Sequence, residues 1–200
     1  MPRHAITIPA LAYLALHAVA TMALAHSGNG SHASVLSGFL HPLAGADHVL
    51  AMVTVGAWAA LLGGRALVAL PAGFVAAMLA GYAAALWGFV PAYVEPMILA
   101  SLVVLGILAA TALKIPTALA VAAVMIFGSY HGAAHAGEIG DASVFAYAVG
   151  FAISTAVLHG VGVIMCLATD RVVPQRGLLV PVARAVGATA AIGGVLLAVA

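Results

Sequence analysis

The run from His41 to Gly56, HPLAGADHVLAMVTVG, carries two histidines and an aspartate inside an apolar stretch long enough to cross a bilayer. An ionisable side chain at membrane depth costs about 2.5–3.5 kcal/mol on insertion scales, so a segment with three of them close together needs something to offset them. A bound cation would do so. On one continuous helix His41 and His48, seven residues apart, stack on the same face, whereas Asp47 lies about 100° round from His48 and can address a neighbouring helix.

The remainder of the chain is equally apolar. Only 6% of its residues are charged and 66% are hydrophobic, against about 25% charged in soluble domains, so a large soluble core does not explain the composition. At about 20 apolar residues per crossing, the length admits roughly six or seven spans and leaves no room for a soluble domain. The chain therefore reads as an all-α integral membrane protein partnered by the lipid bilayer. With a net charge of +1 and no basic cluster, nucleic acid is not a partner. Nine histidines outnumber the six lysines and arginines together, a bias that points to cations or protons as cargo. The single cysteine, Cys166, can form no internal disulfide and offers no thiolate metal site.

Residues 1–25 have a basic start, an apolar centre and small residues at Ala23 and Ala25. This pattern predicts a secretory signal peptide cleaved after Ala25, the alternative being an uncleaved first helix. The mature domain is then 26–200, with His26 and His32 in a small, polar segment facing outward. Six transmembrane helices follow: Ser37 to Leu62, Ala66 to Gly88, Ala92 to Leu113, Pro116 into HGAAHAGE, Ser143 to Ala168, and Leu178 to Ala200.

Loop charges orient this bundle. With both termini outside, Arg65, Lys114, Arg171 and Arg176 all fall on the cytoplasmic side, and the outer loops hold Glu95, Glu138 and Asp141 without a lysine or arginine. Arg184 snorkels to the cytoplasmic interface. His26, His32, His41, Glu95, His131, His135 and Glu138 then lie in or near the outer half, His48 deeper, and His159 about 24 Å along the fifth span. The set traces a path leading inward.

In the fourth span, His131, His135 and Glu138 are spaced by four and seven residues and share one helical face. Imidazole nitrogen and carboxylate oxygen suit zinc, cobalt or nickel. Two polar faces in one small bundle are expected to meet, and the glycines and alanines around both motifs permit close helix approach. Other readings of single residues remain open. Glu95 beside Pro96 is also placed to cap a helix start, and His159 can bond back to Thr155 one turn earlier. Spans one and four enter from opposite sides and both carry histidine motifs, which fits a 3+3 inverted repeat.

HPLAGADHVLAMVTVGAWAA, VEPMILASLVVLGILAA, HGAAHAGE and TAVLHGVG together resemble the HupE/UreJ family of bacterial nickel permeases and hydrogenase or urease accessory membrane proteins, over nearly the whole mature chain. The H-x5-D-H arrangement of His41, Asp47 and His48 is also similar to the H-x4-D-H signature of the wider nickel/cobalt transporters. One departure is Ala136, where the family pattern has glycine. The resemblance implies six spans in the inner membrane, uptake of Ni2+ for metalloenzyme assembly, and His41, Asp47, His48, His131, His135 and Glu138 as the metal residues. Spacing and ligand type alone specify only a borderline divalent cation: Ni2+, Co2+ or Zn2+.

The function expected is a permease, not an enzyme, without a prosthetic group. His26 and His32 capture the ion, Glu95 stands near the mouth, and His159 is an exit ligand. Three rivals stand beside it. An intramembrane zinc enzyme could use Glu138 as base, although H-x3-H-x2-E is not the HExxH arrangement. A haem-binding electron carrier needs only two facing histidines. A nickel sensor or accessory subunit would use the same ligands without transport. Self-association into a homo-oligomer is left open.

Overall fold

The computed structural model describes residues 33–172 and 177–199. The expected leader (1–25), His26, His32 and Arg176 lie outside them. Seven helices and no strand are present among the described residues: α1 (Ala33–Ala44), α2 (Ala46–Leu62), α3 (Ala66–Leu86), α4 (Val94–Ala110), α5 (Thr117–Gly137), α6 (Val144–Val172) and α7 (Leu179–Val199).

The first expected span differs most from its sequence reading. It is not one helix but a pair, α1 and α2, bent by 83° at Gly45. Gly45 takes an extended conformation, φ −93° and ψ 120°, and glycine is the weakest helix former after proline. Pro42, inside α1, also lacks the N–H that would bond to the preceding turn. The break places Asp47 in the first turn of α2, where a carboxylate meets the positive end of the helix dipole. His41 and His48 therefore sit on two helices, not stacked along one.

The other boundaries follow local chemistry. α2 stops at Gly63 and Gly64, both at positive φ, with the Gly63 N–H bonded to the Ala59 carbonyl. This left-handed ending is one that glycine adopts freely. Pro116 precedes α5 as its cap. Four helices, α3, α5, α6 and α7, are each long and apolar enough to cross a membrane, and the bent α1–α2 pair is a fifth if counted as one span. α4 is apolar but has only 17 residues.

Polarity is distributed as in a membrane protein. The outward surface is apolar, with Val68 73% exposed, Phe145 79% and Ile164 64%, whereas His131, His135, His159, Ser101, Thr54 and Ser154 are buried. Such an outside belongs against lipid, because a water-facing surface of this kind would drive association. The interior is filled by Trp58, Phe74, Phe151, Met52, Leu70 and Met78.

Close helix contacts organise the bundle around the polar groups. Gly128 and Gly132 of α5 lie against the Phe74 and Met78 carbonyls of α3, so that a Cβ at either would overlap backbone. The pairs advance in the same direction, so α3 and α5 run parallel. Between α2 and α6, Gly56 meets the His159 carbonyl and Gly162 meets the Val53 carbonyl. Small residues permit this approach where lipid supplies no hydrophobic drive for helix association.

Candidate metal centre

Three helices bring the candidate ligands together. α1 contributes His41, α2 contributes Asp47 and His48, and α5 contributes His131 and His135, with Glu138 capping its end. The imidazoles form a contiguous group. His41 and His135 have ring centroids 5.1 Å apart, His48 and His131 4.9 Å, His48 and His135 5.2 Å, and His41 and His48 6.2 Å. All six residues read from the sequence as metal-binding are thus assembled at one end of the bundle. Four of them, His41, Asp47, His48 and Glu138, line a cavity of about 140 Å³ together with Glu95.

The entrance to this cavity is carboxylate-rich. His41 Nε2 is 2.6 Å from Glu138 Oε2, and His135 Nδ1 is 3.9 Å from the same oxygen. His41, His135 and Glu138 each offer a ligand atom, and these atoms lie within 4.8 Å of one another. Glu138 is exposed, His41 is partly buried and His135 is buried, so the group grades from solvent into the protein. Imidazole nitrogens with a carboxylate oxygen suit a borderline divalent cation.

Deeper in, the hydrogen bonds leave bare nitrogens facing the cluster. His48 Nδ1 is 3.1 Å from Asp47 Oδ1, and the ionised carboxylate can only accept. The Nδ1–H therefore donates to Asp47 and Nε2 carries the lone pair; that Nε2 is buried with no partner among the described residues. Gly45 makes this pair possible, because a Cβ there would stand 2.6 Å from Asp47 Oδ1 and 3.1 Å from His48 Nδ1. Histidine ligands are commonly oriented by a carboxylate on the second nitrogen.

Ser101 of α4 plays the corresponding part for His131, and sequence reading missed it. Its hydroxyl donates to the Ile98 carbonyl at 2.6 Å and lies 3.1 Å from His131 Nε2. A serine hydroxyl has one proton. With that proton committed to Ile98, Ser101 accepts from His131 Nε2–H and leaves Nδ1 bare; Nδ1 is buried without a partner among the described residues. His135 stacks on Phe151 at 4.5 Å, nearly parallel, with neither ring nitrogen partnered. Buried polar atoms are normally hydrogen-bonded, so unpaired nitrogens converging from α2 and α5 fit a cation supplied from outside.

His159 does not join this group. It is buried on α6 with its ring against Phe74 at 5.2 Å, and Phe74 in turn touches His131 at 5.4 Å. The alternative bond to Thr155 is not made: the Thr155 hydroxyl points to Met78 Sδ at 3.6 Å.

Residues 14–197 match the family model described as HupE / UreJ protein. Over 150 residues the chain is 39% identical to Protein HupE of Rhizobium leguminosarum bv. viciae, an alignment covering 74% of this chain and 78% of that protein. No solved structure matches the chain. A family match across nearly the whole length, joined to both histidine motifs in one helical membrane bundle, identifies the chain as a member of the HupE/UreJ family.

Proposed function

We propose that this protein is a permease that takes up Ni2+, with Co2+ as a second substrate, from the periplasm across the inner membrane to the cytoplasm for metalloenzyme assembly. The family resemblance supplies the choice of nickel. The observation that carries the reading is the contiguous group that His41, His48, His131 and His135 form from three helices, beside a small cavity lined by His41, Asp47, His48 and Glu138. In this reading α1–α2 forms the first of six crossings and α3 to α7 the other five, with both termini outside and a cleaved leader of 25 residues ahead of His26. The paired packing of α3 with α5 and of α2 with α6 is the kind of exchange a 3+3 inverted repeat makes.

The ion path follows from the grading of the site. His26 and His32 capture the ion, Glu95, Glu138 and His41 receive it at the mouth, and His135, His48 and His131 replace part of its water shell within the protein. Few ligands of this kind permit release as well as capture. An inward-negative potential contributes about 4.6 kcal/mol per 100 mV for a doubly charged ion.

Uptake of radioactive nickel by cells expressing the wild type or His48→Ala tests the reading. Uptake should fall to background in the variant at equal membrane abundance. Undiminished uptake would remove His48 from the path and the basis of the proposal with it.

A further inference from the structure

The phenyl ring of Phe74 touches two buried imidazoles from different helices. One is His131 of the outer cluster, 5.4 Å between ring centroids; the other is His159, at 5.2 Å and nearly perpendicular. Phe74 is fully buried and His159 is 1% exposed, with neither imidazole nitrogen of His159 partnered among the described residues. One turn before His159, Thr155 donates to Met78 Sδ, one turn after Phe74 on α3. α6 thus presents a buried hydroxyl and an unsatisfied imidazole to a wall made by two α3 side chains. The α3 backbone behind that wall is held by Gly128 and Gly132, which leaves the ring itself as the movable part.

We infer that His159 is a second, inner station for the same divalent cation, and that the Phe74 ring is the gate separating it from the outer cluster. An apolar ring across a narrow polar path blocks a hydrated ion until it turns aside. An unpaired imidazole sealed beyond that ring is costly unless a ligand visits it. Rotation of Phe74 would let the ion pass from His131 Nδ1 to His159. This rests on the permease reading, and the test separates the two.

Purified full-length protein is reconstituted in phospholipid vesicles containing a Ni2+-quenched dye, and equilibrium Ni2+ binding is measured on the same preparations in detergent. His159→Gln should leave the Ni2+ affinity of the outer cluster within about twofold of wild type, because that cluster is intact, while flux falls by at least about tenfold. Phe74→Leu should keep binding and raise flux severalfold. Failure of the wild type to carry Ni2+ at all would overturn the permease reading. Wild-type flux with unaltered flux in His159→Gln would overturn the inner station alone. Joint loss of binding and flux in His159→Gln would overturn it too, by assigning His159 to the architecture of the outer cluster, and unchanged flux in Phe74→Leu would overturn the gate.

Discussion

Ser101 on α4 accepts a hydrogen bond from His131 on α5 because its own proton is given to the Ile98 carbonyl. That one bond selects the His131 tautomer and leaves Nδ1 with a free lone pair. Replacing Ser101 with alanine removes the acceptor, and Ni2+ affinity should fall by about 10- to 100-fold, the usual loss when a partner orienting a metal ligand is removed. Equilibrium dialysis against Ni2+ checks this; an unchanged Kd would show that Ser101 does not orient the ligand.

The same logic applies at Gly45. A methyl group at this position would press on both Asp47 Oδ1 and His48 Nδ1. Gly45→Ala should therefore lower nickel uptake by about tenfold or more although alanine favours helix. Uptake equal to wild type would mean that the Asp47–His48 pair shifts without cost.

Glu138 and His41 should behave as a unit. With Nε2 and Oε2 only 2.6 Å apart and His135 close by, the effects of Glu138→Gln and His41→Ala on Ni2+ binding should be non-additive. A coupling energy of about 0.5–3 kcal/mol is expected from a double-mutant cycle on contacting residues. Strict additivity would place the two side chains in separate roles.

Helix packing can be tested apart from the metal. Gly132→Ala puts a Cβ into the Met78 carbonyl and should destabilise the protein in detergent by about 1–3 kcal/mol, in the range of overpacking. A methyl group at Gly160 would have no neighbour within 4 Å, so Gly160→Ala should change stability by no more than about 1 kcal/mol, and in the stabilising direction. Equal thermal shifts for the two variants would refute the close α3–α5 contact.

Much of the candidate site is legible in the sequence because its candidate ligands recur within single segments. His131, His135 and Glu138 need only helical spacing, and the apolar runs locate the helices to within a few residues. The break at Gly45 is harder: a hydropathy pattern records burial and says little about a backbone bend inside an apolar run. Ser101 and Phe74 are illegible for another reason. A serine or phenylalanine in a membrane helix is ordinary until tertiary packing shows what it touches, and both touch histidines of other helices. Glu95 reads from sequence equally well as a helix cap or a mouth residue, and the structure keeps both features, with Glu95 in the first turn of α4 and beside the cavity.

The glycine contacts carry a mechanical consequence. α3 is zipped to α5 and α2 to α6 by backbone-on-backbone seams, which resist sliding within each couple. His131, His135 and Phe74 ride on one plate, and His48 and His159 on the other. Backbone slippage is therefore resisted within each slab, and the shear plane runs between them.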